Sequence, residues 1–236
     1  MHFSYGDDEE ISTLFDFEMR GQTFTYSEKD TTRDVTVEFR YPLFTPSSAL
    51  QGALNTFITQ ELSKSILYDS PTTLMASAES LICRYKSVAS HFDERMFPWE
   101  HKSEIRVIYQ SPDVISLEQE TYAYTGGAHG IHHFSLYTLS KRIGRPLTFK
   151  DILGDQDPDT FVDKAENRFR ETFSISSFQS LKDAGFWFEN NRFHLPENAA
   201  LLEKGILFIY NPYEIAPYSE GVLRFIVPLE SMQLEE

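Results

Sequence analysis

The sequence predicts an α+β fold with a mainly antiparallel sheet and helices packed on it. Residues 15–20 and 35–41 alternate apolar and polar side chains, as half-buried strands do. Residues 205–210 are apolar on both alternating faces, which is typical of a fully buried strand. Helical periodicity occurs in separate stretches, so we expect the helices to be segregated onto the sheet. Two closely joined lobes are expected, an N-terminal one over residues 10–125 and a C-terminal one over residues 126–232.

The first two strands are predicted to pair as an antiparallel ladder. A polar turn near Lys29 and Asp30 joins them. Pro42 and Pro46 are expected to end the second strand, because proline cannot donate to a ladder hydrogen bond.

Two amphipathic helices are predicted next. Ser48 and Gln51 have the spacing of a capping box at the start of the first helix, and the second begins after Pro71. Cys83 lies opposite the apolar stripe of the second helix, so its thiol is expected to be a surface group rather than a nucleophile. A single cysteine also excludes an intrachain disulfide.

Two further strands, over residues 105–109 and 114–124, lead into a glycine-rich turn that reverses the chain into another strand. Such a turn needs residues that accept a positive φ, which only glycine does freely. We predict a positive φ for at least one of Gly126, Gly127 and Gly221.

The C-terminal lobe is predicted to contain a helix, a hairpin and a last pair of strands. Asp157 and Pro158 are typical of an N-cap followed by the first helical residue. The aromatic-rich residues 186–195 are predicted to form a hairpin. Residues 205–210 and 222–227 are predicted to be the two closing strands.

The connection between these closing strands is unusually constrained. Asn211 can bond its own backbone two residues on, each proline fixes φ, and Gly221 can take a positive φ before the chain re-enters the sheet. We therefore predict one defined shape for it. The residues expected to shape the two turns are Gly126, Gly127, Gly130, Asn211, Pro212, Pro217 and Gly221.

Both turns also contain sequence segments that resemble those of a known protein family. The segments YTGGAHG (124–130) and NPYEIAPY (211–218), with GRPLTFKDIL (144–153) between them, resemble the landmarks of an exported bacterial domain family of largely unknown function. The family includes the ectodomain of the lysozyme-receptor anti-sigma factor. The region before Tyr124 is similar to the companion domain that also precedes some peptidoglycan deacetylases. The resemblance implies an extracytoplasmic protein, periplasmic or a surface lipoprotein, with its signal or anchor ahead of Met1, since the sequence itself shows no signal peptide or membrane-spanning run.

The formal net charge of −15 restricts the partners. Nucleic-acid binding is not expected, because it needs Lys and Arg to neutralise phosphates. An acidic chain can attract a basic partner, or it can simply be more soluble. The resemblance implies a basic, lysozyme-like protein or a cell-wall glycan as partner, with membrane contact only through an N-terminal anchor.

The sequence contains none of the standard catalytic or phosphate-binding signatures, and neither a cofactor nor a metal site is expected. His132 and His133 point to opposite faces of an extended strand and cannot readily share one metal. With 36 acidic residues, no glycosidase-like pair of carboxylates can be singled out.

Two interpretations of the turns stay open. They are either rigid connections, with Glu214 accepting backbone N–H groups, or a tyrosine-rich rim that contacts a ligand. On the second interpretation the candidate binding residues are Tyr124, His129, Tyr213, Glu214, Tyr218 and Glu220. The favoured function is a non-catalytic binding or sensing module of the cell envelope, and the alternative is a cell-wall hydrolase or deacetylase accessory enzyme.

Overall fold

The computed structural model describes residues 14–27, 34–45, 48–66, 73–91, 97–154 and 156–229, and it has the predicted α+β fold. The strands are β1 (Phe17–Tyr26), β2 (Val35–Phe44), β3 (Trp99–Gln110), β4 (Val114–Tyr124), β5 (Ile131–Ser140), β6 (Ala199–Leu202), β7 (Gly205–Tyr210) and β8 (Leu223–Val227). The helices are α1 (Ala49–Lys64), α2 (Leu74–Ala89), α3 (Phe149–Leu153) and α4 (Pro158–Thr172). The turn predicted at Lys29 and Asp30 lies outside the described residues, as do Pro46 and Pro71.

The strands form two sheets. The larger has five strands in the order β1-β2-β3-β4-β5, and the smaller has three in the order β6-β7-β8. All pairs are antiparallel, as predicted for β1 and β2, except β2 and β3, which run parallel. A parallel pair needs a long crossover, and α1 and α2 lie in that connection.

Helices cover one face of each sheet. On the five-stranded sheet, Ile58 of α1 and Leu81 of α2 belong to the same core as Phe39 and Ile105. On the three-stranded sheet, Phe169 of α4 lies at the centre of an aromatic cluster. This segregation is the predicted one and follows from the single apolar stripe of each helix.

The two sheets are held together through β7, because its two faces pack into different apolar clusters. Its even-numbered residues, such as Phe208, face the core beneath α4, whereas Leu207 and Ile209 belong to a separate cluster with Phe134 and Leu136 of β5. The strand is buried throughout, as its doubly apolar pattern predicted. The predicted boundary at residue 126 falls beside β5, which is part of the five-stranded sheet, and the division into two lobes stays a prediction.

Capping agrees with the sequence at two helices. Ser48 is the N-cap of α1, and its Oγ accepts from the Gln51 backbone N–H at 3.4 Å. The Gln51 side chain accepts the Ser48 hydroxyl proton at 2.9 Å rather than completing a capping box. Asp157 and Pro158 are the N-cap and first residue of α4, as predicted. Cys83 is exposed.

Pro42 does not end its strand, contrary to the prediction. It lies inside β2 opposite Met19 of β1, where pairing with β3 has already ended at Arg40. Two residues on, the Phe44 N–H points away from β1 and donates to Asn55 Oδ1 at 2.9 Å. The N–H missing at Pro42 would point to the same open side, so the proline costs no ladder bond.

The first strand is less buried than predicted. β1 is exposed along most of its length, with Phe17 and Met19 among the exposed apolar residues. It is an edge strand that pairs only with β2 among the described residues. The alternation therefore predicted the strand but not its position in the sheet.

The hairpin predicted over residues 186–195 is wrong. The segment is irregular around a short 3-10 helix, Glu189–Asn191, in which Asn190 and Asn191 take positive φ values of 52° and 56°. Its rings pack into the α4 core instead of forming a ladder, with Phe169 and Phe188 5.6 Å apart. The strand in this part of the chain is β6, which the sequence did not predict.

Candidate functional site

The two constrained connections meet in space. We call residues 125–130 the glycine turn and residues 211–222 the tyrosine loop. The Tyr218 hydroxyl donates to the carbonyl of Gly130 at 3.0 Å, and its ring stacks on His129 with 4.4 Å between centroids and 23° between planes. The His129 Nδ1–H donates to the same carbonyl at 2.8 Å. Two turns that the sequence treats separately therefore form one surface.

The glycine turn has the predicted backbone. Gly126 and Gly127 have φ values of 95° and 109°, and Gly221 in the tyrosine loop has 68°, so the positive-φ prediction is confirmed. The Tyr124 hydroxyl donates to the Gly127 carbonyl at 3.1 Å, which fixes the turn from within.

Gly130 is needed for a different reason. A Cβ on this residue would lie 2.3 Å from the Tyr122 ring, which packs closely against the glycine. The close approach brings the Tyr122 ring, the Gly130 carbonyl and the Tyr218 hydroxyl into one contact chain. Glycine here serves packing rather than backbone conformation.

The tyrosine loop is tied to the edge of β5 by Asn211. Its side-chain Oδ1 accepts from the Phe134 N–H at 2.7 Å, and its Nδ2 donates to the Phe134 carbonyl at 3.0 Å. The Asn211 side chain therefore does not make the predicted bond to its own backbone two residues on. It forms instead this pair of hydrogen bonds, which we call a clasp, with a residue 77 positions earlier in the chain. The backbone of the turn is closed by Glu214, whose Oε2 accepts from the Asn211 N–H at 2.8 Å, as the rigid-connection interpretation expects.

Tyr213 is the unusual residue of the loop. Its φ is 70°, a left-handed value that a bulky side chain rarely adopts, and its side chain is 53% exposed. The ring stacks on Tyr218 with 5.5 Å between centroids, which extends the His129–Tyr218 stack outward. A strained backbone therefore presents an aromatic ring to solvent.

The remaining predicted residues lie around this stack. Pro217 precedes a 3-10 turn, Tyr218–Glu220, that ends at Gly221. Glu214 and Glu220 are exposed, so the rim of the surface is acidic. The structure thus brings His129 and Tyr213 to Tyr218, on which both rings stack, whereas Tyr124 and the two glutamates make no ring contact with this stack.

Two parts of the chain match known protein families. Residues 150–230 match DUF3298, a protein family of unknown function. The chain carries a DUF3298 region. Residues 28–132 match the model described as deacetylase PdaC, and the glycine turn lies at the end of that match. No curated protein matches the sequence.

Two crystal structures of DUF3298 family proteins share the fold. One from Bacteroides fragilis has a TM-score of 0.68 and 21% identity, and one from Pseudomonas aeruginosa has 0.64 and 18%. Each match covers 92% of this chain and 90% of the other. The predicted resemblance is confirmed in part, since both a DUF3298 region and a PdaC region are found. The likeness to the lysozyme-receptor ectodomain stays a prediction. Both domains are typical of extracytoplasmic proteins, and within the described ranges no helix is long and apolar enough to cross a membrane.

An ionic cluster around the buried carboxylate of Glu118 links the DUF3298 region to the PdaC-like region. Glu118 of β4 is almost completely buried and accepts from Arg224 of β8 and from Arg106, the latter at 3.1 Å. Arg106 also reaches Glu120 at 3.1 Å, and the His132 Nδ1–H donates to Glu120 at 3.3 Å. His132 is half-buried, with 43% of its side chain exposed.

The described histidines lie apart from one another or make other contacts. Burial lowers the pKa of His133, with Glu214 opposing the shift, and burial lowers the pKa of His101 to about 4. His101 lies beside Phe39 in the core between the five-stranded sheet and its helices. Its Nε2 and the Ser65 hydroxyl are 3.0 Å apart. Among the described residues no group of three His, Cys, Asp or Glu side chains is placed to hold a metal ion.

Sequence reasoning missed two residues of this surface in the DUF3298 region. Trp187, 54% exposed, donates its backbone N–H to Ile215 of the tyrosine loop at 2.7 Å. Asn198 repeats the clasp of Asn211 one step along β5, because its Oδ1 accepts from the Leu136 N–H at 2.7 Å. The aromatic run around Trp187 could have indicated an exposed aromatic residue. The incorrect hairpin prediction instead assigned these residues to paired strands.

Proposed function

We propose that this chain is a non-catalytic binding or sensing module of the bacterial cell envelope. Its contact surface is formed by the tyrosine loop and the glycine turn. The observation that carries the proposal is Tyr213, an exposed ring on a left-handed backbone. Strain of this kind is kept where the surrounding structure fixes it, and such positions concentrate at ligand-binding sites.

The ring stack is suited to recognition. Tyr213, Tyr218 and His129 are held in place by stacking and by the Gly130 carbonyl, so little side-chain entropy remains to be lost on binding. Tyrosine anchors combine a large apolar area with a polar hydroxyl. The exposed indole of Trp187, beside Ile215, adds a further aromatic ring next to the loop.

The proposed location is outside the cytoplasm, in the periplasm or as a surface lipoprotein. The DUF3298 and PdaC matches support this location. An export signal or lipid anchor ahead of Met1 belongs to the same proposal.

The proposed partner is a basic protein, with a c-type lysozyme as the first candidate. The net charge of −15 would attract a cation over a distance, and Glu214 and Glu220 lie beside the tyrosine stack. The resemblance of both signature segments to a lysozyme-receptor ectodomain supports the same partner. A cell-wall glycan is the second candidate ligand, since aromatic rings also stack on sugars.

Calorimetric titration with a c-type lysozyme at low and moderate salt tests the proposal. We expect binding that weakens with salt but persists, and that is lost in Tyr213→Asn. Asparagine tolerates the left-handed backbone, so the fold should be kept. Ile143→Asn is the matched control, because Ile143 is also exposed but follows the far end of β5.

The outcomes separate the components of the proposal. No heat in either buffer would discard lysozyme, and sedimentation with purified peptidoglycan would then test the glycan. Heat that vanishes entirely at moderate salt would mean charge attraction alone. Equal binding by the wild type and Tyr213→Asn would remove the tyrosine loop from the contact surface.

The alternative function is a cell-wall hydrolase or deacetylase accessory enzyme. The match of residues 28–132 to the deacetylase PdaC model favours it. Acetate or sugar release from peptidoglycan, followed over time at several enzyme concentrations, decides between the two. Release in proportion to the protein added would favour the enzyme.

A further inference from the structure

A second concave region lies far from the tyrosine stack. A cavity of about 720 Å³ is bounded by the β3–β4 turn, the segment from β5 to α3, and the β6–β7 turn. The β3–β4 turn and the glycine turn are at opposite ends of β4, which has 11 residues. At roughly 3.4 Å per residue the two regions are about 34 Å apart. The volume is within the range of sites that hold small molecules.

The floor of the cavity is apolar. Val114 and Leu201 are buried side chains of the α4 core, and Leu147 and Leu229 are partly buried against the same core. Each exposes part of its surface to the cavity. An apolar ligand body would cover that surface and gain free energy by leaving water.

Three hydroxyl groups line the cavity with unused hydrogen-bonding capacity. Ser111 Oγ accepts two backbone N–H groups of its own turn at 3.2 and 3.3 Å, and Ser140 Oγ accepts two of its own turn at 3.2 and 3.4 Å. Neither donates its hydroxyl proton to a described residue. The Tyr109 hydroxyl likewise makes no hydrogen bond within the described ranges, although its ring packs on the core. A ligand can therefore find polar partners above the apolar floor.

The charges at the mouth favour a cation. Asp113 is neutralised by Arg142, whose Nε donates to it at 2.8 Å. Asp151 accepts from the Thr148 backbone N–H and faces Arg145 at 3.4 Å, which holds its pKa below the usual value. Glu203 is exposed and makes no ion pair with any described residue. The uncompensated charge lining the cavity is therefore a carboxylate.

We propose that this cavity is a binding site for a small amphipathic cation, an apolar body that carries a protonated amine. The body lies on Val114, Leu147, Leu201 and Leu229, and the amine faces Glu203. The hydroxyls of Tyr109, Ser111 and Ser140 contact further polar groups of the ligand. The site is independent of the tyrosine stack, so the chain would have a protein- or glycan-binding end and a small-molecule-binding end.

Three probes with the same body and different head groups test the inference: n-octylammonium, n-octanol and n-octanoate, each below its aggregation concentration. Methyl resonances of Leu147, Leu201 and Leu229 are followed by NMR during titration. We expect saturable shifts at these methyls, with octylammonium binding most tightly and octanoate most weakly. Absence of shifts at the three leucines, or octanoate binding as tightly as octylammonium, would overturn the proposal.

Two variants localise the contacts. Glu203→Gln, at an exposed position, should weaken octylammonium on the order of threefold and leave octanol unchanged. Leu147→Ala should weaken all three probes, whereas the control Ile143→Ala, an exposed residue that does not line the cavity, should weaken none. Unchanged octylammonium affinity in both Glu203→Gln and Leu147→Ala would refute the site. Tyr213→Asn should not affect the probes, so loss of the proposed lysozyme binding and loss of this site are separate results.

Discussion

The side-chain amide of Asn211 replaces a neighbouring strand at Phe134. Its two hydrogen bonds, of 2.7 and 3.0 Å, satisfy the N–H and the carbonyl of Phe134 on the side of β5 that no strand of the five-stranded sheet covers. Asn198 does the same for the Leu136 N–H. The tyrosine loop is thereby held on the five-stranded sheet by side-chain groups that mimic a backbone.

Asn211→Ala should be clearly destabilising. The substitution leaves the Phe134 N–H unpaired in a partly buried position, which costs about 1–3 kcal/mol of unfolding free energy, whereas the Phe134 carbonyl still accepts from Asn198 Nδ2 at 2.8 Å. Urea denaturation measures the loss. Pro212→Ala, next in the chain but with no N–H to lose, is the control and should change stability less. Equal losses in both variants would show that the clasp contributes nothing specific.

Gly130→Ala should be destabilising through Tyr122. The added Cβ would lie 2.3 Å from the ring, which must move and disturb its contacts. We expect a loss of about 1–3 kcal/mol, as for other overpacked sites. In a Tyr122→Ala background the same substitution should cost much less. A double-mutant cycle by thermal or urea denaturation checks this coupling, and additive effects would contradict it.

Tyr213 and Tyr218 should respond differently to substitution. Tyr213→Asn removes a stacked ring worth about 0.5–1.5 kcal/mol and relieves a strained backbone of similar cost, so stability should change by less than about 1 kcal/mol. Tyr218→Ala loses stacking on both sides and the bond to Gly130, and should lose about 2 kcal/mol. Denaturation of both variants measures the contrast. A larger loss for Tyr213→Asn would mean that its ring serves the fold rather than a partner.

His101 should make stability fall in acid. Burial lowers its folded-state pKa from 6.5 to about 4, so below pH 6.5 the unfolded chain binds a proton that the folded protein does not. The stabilisation is fully present above pH 6.5 and is lost as the pH falls to about 4. The shift corresponds to about 3 kcal/mol at most. Urea denaturation at several pH values should show a shallower dependence for His101→Gln than for the wild type, and parallel curves would exclude this origin.

The sequence predicted the fold class because local patterns determine it. Alternation located β1 and β2, the doubly apolar run located β7, and the Asp157–Pro158 pair located the start of α4. Long-range facts could not be obtained in this way. The exposure of β1 depends on its place at a sheet edge. The position of Phe188 in the core depends on its contact with Phe169, which is distant in the chain.

The candidate site was predicted in part for the same reason. Glycines and prolines marked both turns, since those residues constrain the backbone locally. Nothing local indicated that Tyr218 would reach Gly130, or that Asn211 would bond Phe134. The strain at Tyr213 was likewise invisible, because a tyrosine is an improbable residue at a positive φ.

The clasps of Asn198 and Asn211 also limit how this protein can assemble. On β5 the outward backbone groups of Phe134 and Leu136 bond to asparagine side chains, and the Thr138 carbonyl accepts from the Leu147 N–H. Among the described residues this leaves β1 as the edge of the five-stranded sheet that is open to a further strand. A sheet with one open edge can pair through β1 with β1 of a second copy, and neither copy then has an open edge left in this sheet. Continuous fibre growth through this sheet would require both edges. The two asparagines therefore act as a stop against polymerisation as well as an attachment for the loop.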